Sequence, residues 1–308
     1  MKVLVTGGSG FLGTNLTEHL SREGCEIYNL GSSKVEGSKH FLLKSPVDKK
    51  VIDNTISEVR PDYVFHLAGS AIRSCTIEQA FTVNTFYCDY ILSAIDKAGL
   101  GYHTKVIIVG SAAEYGTIEP FQLPVSEKSA CNPTNFYGMS KLAQTHRALA
   151  WQTSRKGLVV IRPFNVVGRN MPRHTALGNF FDQIQAIVGE GILKTGNLDS
   201  SRDLIAVSDV SRIMWQLIRN ENAYGEIVNI CSGEATRMDR VVDFILKLSN
   251  KRIELKTEEG RSSSSETKIH YGDNTKLQSL IGPYSFASWE DTILDVMKNK
   301  ADQYGYNV

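Results

Sequence analysis

The opening residues, MKVLVTGGSGFLG, constrain the fold more than any other stretch of this chain. Val3, Leu4 and Val5 form a short apolar run of the buried-strand type, cut off by Gly7 and Gly8. Phe11, Leu12, Leu16 and Leu20 then recur at helical spacing. A strand that turns through glycines into a helix leaves free N–H groups and the positive end of the helix dipole at one point, where a pyrophosphate can sit. The glycines serve the tight turn, the close approach to phosphate and the packing of helix on strand. Gly7, Gly10, Phe11, Leu12 and Gly13 are therefore expected at a dinucleotide. A plain tight turn is the competing reading, and the strand before and the helix after count against it.

The rest of the first half keeps the same rhythm. Strand-like runs at 2–6, 26–30, 41–43, 63–67, 105–109 and 158–162 alternate with helical patterns at 11–22, 48–59, 77–97 and 135–154. Such alternation predicts an α/β fold with a parallel sheet covered on both faces. Beyond Phe164 the rhythm loosens to a helix near 178–188 and strands at 203–207 and 227–230. Residues 1–165, with returning segments at about 203–231, are expected to form the nucleotide-binding domain. Residues 166–202 and 232–308 are expected to form a smaller, discontinuous substrate lobe. The polar run RSSSSETK (261–268) reads as a substrate-side loop or a short linker.

Composition removes several functions. The 34 basic and 33 acidic residues nearly cancel, so no net field draws the chain to nucleic acid or anionic lipid. No apolar run approaches a membrane span, and the first one is too short for a signal peptide. The five cysteines are widely spaced with no CxxC pair, and the seven histidines lack ligand spacing. Neither a disulfide framework nor a metal site is expected, and a reducing cytoplasm fits.

The strand EIYNL runs into Gly31, Ser32, Ser33 and Lys34 without the acid that would hold a ribose 2′-OH. Two hydroxyls and a lysine suit a 2′-phosphate, which favours NADP(H) over NAD(H), the other candidate. Further on, YGMSK places Tyr137 and Lys141 four apart on one helix face. A phenol of reference pKa about 10 is a weak acid–base catalyst at neutral pH. A nearby ammonium and a positive nicotinamide are expected to lower that pKa toward the working range. KVIIVGSAAEYG supplies Ser111 as the hydroxyl partner at the end of a neighbouring strand.

With TGGSGFLG, HLAG (66–69), VN (83–84), SAAEYG (111–116), YGMSK, RPFNVVG (162–168) and SRDLIAVSDV (201–210) in this order, the chain resembles the extended short-chain dehydrogenase/reductases. These are nucleotide-sugar epimerases, dehydratases and reductases built on a Rossmann-type doubly wound sheet. The resemblance implies Ser111, Tyr137 and Lys141 as the catalytic trio. It also implies Leu67, Ala68, Gly69, Asn84 and Pro163 around the cofactor. Asn165, Asn179, Arg202 and Arg261 follow as contacts for the sugar or diphosphate, and a homodimer through the helices at 77–97 and 135–154. Arg202 has a competing role, a salt bridge to Asp203 or Asp209.

The reaction is narrowed at SAAEYG. Family dehydratases carry acids where this chain has Ala112 and Ala113, and alanine cannot move a proton. Glu114, one place along on a strand-like stretch whose side chains alternate, is expected to point away from the site in a structural role. The bifunctional epimerase–reductases use a cysteine at the Ala113 place and a histidine where this chain has Asn179. His174 nearby reads as a solvated loop residue. The pattern is most similar to reductases of GDP-4-keto-6-deoxymannose, which implies NADPH-dependent reduction at C4 to GDP-rhamnose or GDP-6-deoxytalose. An NAD-dependent nucleotide-sugar 4-epimerase is the alternative.

Overall fold

The structure, a computed structural model, describes residues 1–70, 75–152, 157–258 and 268–304. Its strands are β1 (Lys2–Thr6), β2 (Glu26–Gly31), β3 (Lys39–Leu42), β4 (Tyr63–His66), β5 (Lys105–Val109), β6 (Leu158–Pro163), β7 (Asn165–Val167), β8 (Glu190–Thr195), β9 (Ser201–Arg202), β10 (Leu204–Ala206), β11 (Ile227–Ile230), β12 (Thr236–Arg237), β13 (Arg252–Thr257) and β14 (Ile269–His270). Its helices are α1 (Phe11–Arg22), α2 (Lys49–Val59), α3 (Ile77–Phe81), α4 (Tyr87–Lys97), α5 (Phe136–Gln152), α6 (Ala176–Ala186), α7 (Val207–Ile218), α8 (Met238–Ser249), α9 (Thr275–Ile281) and α10 (Trp289–Tyr304).

Seven strands make one parallel sheet in the order β11-β6-β5-β4-β1-β2-β3. Read from β3 the order is 3-2-1-4-5-6, the doubly wound Rossmann arrangement, with β11 added beyond β6. The period of two along each strand explains the two cores. Val3 and Val5 face a cluster with Leu16 and Leu20 of α1 and most of α7, while Leu4 faces Ile52, Ile91 and Trp151 of α2, α4 and α5. β6 is buried along its whole length, as a parallel strand covered on both sides must be.

The first helix and strand lie where the residues place them, whereas several other boundaries moved. The third strand is Lys39–Leu42, starting two residues earlier than expected. The helix expected over 77–97 is interrupted by a π turn at Thr82–Phe86 that separates α3 from α4. This wider turn carries Asn84, whose amide donates to the Ser140 hydroxyl (2.8 Å) and to the Ser70 carbonyl (3.2 Å). Those contacts compensate for the poorer helical geometry.

The second half of the chain divides between the sheet and three small ones. β11 joins the central sheet, whereas β10 pairs in parallel with β7, Leu204 opposite Asn165. β12, β9 and β14 form a three-stranded sheet, and β13 pairs with β8. A separate core holds this side together, with Phe180, Phe181, Val241, Ile245, Ile293 and Val296 from α6, α8 and α10. Because the central strands are all parallel, their C-terminal ends share one rim, where such folds place ligands. Among the described residues, no helix is long and apolar enough to cross a membrane.

Candidate active site

The rim begins with the glycine turn. Gly7 has φ +72°, a left-handed conformation, and a Cβ there would stand 2.7 Å from the backbone N of Ala68. A Cβ on Gly13 would run into the Gly7 carbonyl oxygen and the Gly8 Cα. The Gly10 N–H donates to the Gly7 carbonyl (3.0 Å), and Gly10 caps α1 without a side chain. Phe11, Leu12 and Gly13 open that helix, which has no acid in its first turn. Bare backbone, free first-turn N–H groups and no repelling carboxylate together form a cradle that fits a pyrophosphate.

Around the cradle, Leu67 and Ala68 donate their N–H groups to the Thr6 carbonyl and hydroxyl at 3.1 and 3.4 Å. Gly69 borders Asn84 and the Lys141 ammonium. Ser32, Ser33 and Lys34 form an exposed loop after β2, and buried Asn29 donates to the Ser33 carbonyl (2.9 Å) beneath it. Pro163 ends β6, with Phe164 hydrogen-bonded to Ile230 of β11 (3.0 Å). The residues expected around a dinucleotide thus lie at the C-terminal ends of β1, β2, β4 and β6, at the start of α1 and, for Asn84, in the π turn.

Ser111, Tyr137 and Lys141 come together from β5 and α5. Ser111 follows β5 in extended conformation, and its hydroxyl accepts from the Ala113 N–H (3.1 Å). Tyr137 is half-buried on the first turn of α5, and the Ser111 side chain is near enough to act on its phenol. Lys141, 3% exposed, donates from Nζ to the Val109 carbonyl and to Gln144 Oε1, both at 2.8 Å.

The electrostatics depart from the expectation. Burial pushes the Tyr137 phenol above its ordinary value; the Ser111 hydrogen bond opposes this and the Glu114 charge adds to it. The Lys141 ammonium is itself committed to the Val109 carbonyl and Gln144. Desolvation lowers Lys141 itself to about 8, with Glu114 and Cys88 opposing the fall. With its value raised, the Tyr137 phenol holds its proton at neutral pH.

Ala112 and Glu114 bound a 3-10 turn, not the strand-like stretch expected from sequence. Glu114 does point away from the rim, and it is fully buried in an ion pair with Arg162 (2.8 Å), itself 2% exposed. Reading the residues singly missed this pair, although Glu114 and Arg162 both lie in the motifs quoted above. Gln144 was missed as well. Its place three residues after Lys141, on the same helix face, was the available signal.

The substrate-side residues are less closely gathered. Asn165 donates its side-chain amide to the Asp203 carbonyl (3.0 Å). Asn179 on α6 accepts from Gln183 (2.7 Å), and His174 is exposed. Arg202 Nη1 donates to the carbonyls of Ser201 (2.9 Å) and Lys268 (3.2 Å). Asp203 instead accepts from Ser232 N–H (2.7 Å) and hydroxyl (2.8 Å), Gly233 N–H (3.0 Å) and Gly272 N–H (3.3 Å). Asp209 pairs with Arg212 and accepts from Tyr284 (2.9 Å). His270 stacks on Phe164 at 5.1 Å, and burial lowers it to about 4 with help from the Arg202 charge. Arg261 lies outside the described residues. Among the described residues no group of histidines, cysteines and acids could hold a metal ion.

Comparison with known proteins is consistent with this geometry. The sequence profile described as the NAD dependent epimerase/dehydratase family matches residues 3–231. GDP-6-deoxy-D-talose 4-dehydrogenase of Aggregatibacter actinomycetemcomitans is 30% identical over 305 residues, 97% of this chain and 98% of that protein. GDP-6-deoxy-D-mannose reductase of Pseudomonas aeruginosa is 25% identical, covering 91% of each chain. The solved structure of RMD from Pseudomonas aeruginosa complexed with NADPH superposes with a TM-score of 0.84 at 21% identity, over 98% of both chains. That last likeness concerns the fold.

Proposed function

Since the chain belongs to the NAD-dependent epimerase/dehydratase family, we propose that it is an oxidoreductase reducing the C4 ketone of a nucleotide-activated 4-keto-6-deoxy sugar. The favoured substrate is GDP-4-keto-6-deoxymannose, and the product is GDP-rhamnose or GDP-6-deoxytalose. One observation carries this reading: Ser111, Tyr137 and Lys141 meet beside the glycine cradle, with only Ala112 and Ala113 where an elimination would need acids. Relatives that are named for 6-deoxy-talose and 6-deoxy-mannose nucleotides with GDP support the choice of sugar.

When bound, a reduced nicotinamide dinucleotide, NADP(H) in this reading, supplies the hydride. Gly7, Gly10, Phe11, Leu12 and Gly13 would hold its pyrophosphate; Ser32, Ser33 and Lys34 would meet its 2′-phosphate. Leu67, Ala68, Gly69, Asn84 and Pro163 would line its further length. Tyr137 gives its proton to the ketone oxygen, which the Ser111 hydroxyl orients. The raised pKa of Tyr137 keeps it in the donor form that this direction requires. Lys141, with two of its N–H bonds committed to Val109 and Gln144, borders Gly69 and would offer its remaining one to the ribose. Asn165, Asn179 and Arg202 receive the sugar and diphosphate, the guanidinium suiting two oxygens at once. Arg261 is proposed as a second anion clamp.

A homodimer through α3, α4 and α5 is part of the same reading, supported by exposed Ile77, Phe86, Phe136 and Met139. The deciding experiment follows NADPH absorbance after addition of GDP-4-keto-6-deoxymannose, with NADH and a dTDP-4-keto-6-deoxyglucose control. Rapid loss with the GDP sugar supports the assignment. No loss with either sugar, and turnover of intact nucleotide sugars by protein carrying bound NAD, would replace it with 4-epimerisation.

A further inference from the structure

We infer that Glu114 is a positioning residue, whose buried carboxylate holds the Ser111 turn, helix α5 and strand β6 in the one arrangement that lets the Ser111 and Tyr137 hydroxyls meet. The inference rests on the trio proposed above and adds a residue that does not touch substrate. The two carboxylate oxygens are divided between elements. Oε1 accepts from the Ser111 N–H at 2.9 Å, closing a capping box in which Ser111 is the cap. Oε2 accepts from the Thr145 hydroxyl and from Arg162 Nε, each at 2.9 Å. Thr145 lies one turn beyond Lys141 and two beyond Tyr137 on α5, so this bond fixes how that helix sits against Ser111.

The tie extends across the sheet. The Arg162 guanidinium lies 4.7 Å from the Tyr115 ring centre, the Tyr115 hydroxyl donates to Asn229 Oδ1 (2.6 Å), and the Asn229 N–H donates to Glu127 (2.8 Å). An apolar residue at 114 could fill the same space. It would leave the Ser111 N–H, the Thr145 hydroxyl and the Arg162 guanidinium without their acceptor, each a costly orphan in the interior. A mere charge partner for Arg162 would not need the bonds to Ser111 and Thr145.

Charge supplies a second handle. Tyr137 faces Ser111 and Glu114; Lys141 faces Glu114, His66 of β4, Cys88 of α4 and Gln144 of its own helix. Of these, Glu114 is the carboxylate, and it favours the protonated form of both Tyr137 and Lys141.

The test uses Glu114→Gln and Thr145→Val. Phenolate absorbance is titrated in each background with and without Tyr137→Phe, so that the difference isolates Tyr137 in the protein free of any ligand. In Glu114→Gln the Tyr137 midpoint should fall by about half a pH unit or more. Turnover should drop about 10- to 100-fold, with the NADPH dissociation constant within about twofold. In Thr145→Val, which keeps the charge, the midpoint should hold while turnover drops about threefold or more. A folded Glu114→Gln protein with an unmoved midpoint and near-normal turnover overturns the inference. Should that variant not fold, unchanged turnover in Thr145→Val overturns it instead. A wild type inert toward every keto sugar, whose midpoint still moves in Glu114→Gln, sinks the assigned reaction and leaves the positioning role standing.

Discussion

The rim of the central sheet and the small sheets beyond Pro163 hold their polar groups by different means. At the rim the partners sit on long elements of the central sheet and its helices: Ser111 with Glu114 in one turn, Lys141 with Gln144 on α5, and α5 tied back by Lys141 to Val109 and by Thr145 to Glu114. On the outer side, the strands around Arg202 and His270 are two residues long, and one carboxylate supplements their few backbone bonds. Asp203 gathers Ser232, Gly233 and Gly272 from segments about 30 to 70 positions away. Both regions close over long sequence distances, but the first is carried by a full helix and the buried central strands, the second by strands of two residues. A lesion in the second should therefore loosen substrate binding before it harms the cofactor side.

The largest effect should come from Tyr137→Phe. Turnover is expected to fall about 10²- to 10⁴-fold, the worth of a general acid, with NADPH binding nearly unchanged in a fluorescence titration. Equal losses of binding and turnover would break the separation of the two regions. Next is Gly13→Ala, whose new methyl meets the Gly7 carbonyl. Overpacking there should weaken NADPH binding about 10- to 100-fold by calorimetry, leaving the outer side intact.

Asp203→Asn sharpens the contrast from the other side. It puts an amide among four donated hydrogens and should cost about 2–3 kcal/mol in a denaturant melt. The ketone KM should rise about tenfold, while NADPH affinity stays within about twofold. Arg202→Ala should raise that KM about fivefold without a stability change. The smallest effect is a pH response. Lys141 is protonated below its value of about 8 and loses its charge above it. The rate should therefore hold well below pH 8, fall to about half near pH 8 and decline further above it, in a kcat profile.

Sequence made the first region legible because each element there is a single apolar run bounded by glycine, proline or a cap. β1, α1 and β5 lie where the residues place them, and the cradle follows from the turn itself. α7 went unread because the polar face of VSDVSRIMWQLI is narrow: Ser208, Arg212 and Gln216 form one exposed stripe, and the remaining residues are buried. β8 and β13 went unread for the opposite reason. They exist only by pairing across 62 positions, Glu190 opposite Arg252, and nothing local announces that partnership. Glu114 was assigned the right direction from alternation, yet the turn is 3-10, and its ion pair with Arg162 is a fact of packing that no spacing encodes.

The position of β11 bears on how this protein is made. Strand β6 is buried throughout, and its outer edge is covered only once Ile227–Ile230 has been synthesised. A nascent chain that has emerged only as far as residue 165 thus carries a bare, apolar, hydrogen-bonding edge, the kind of surface that recruits other chains. Release of the finished rim must await more than sixty further residues, so a fragment ending at 165 should precipitate on expression where one reaching past Ile230 stays dispersed.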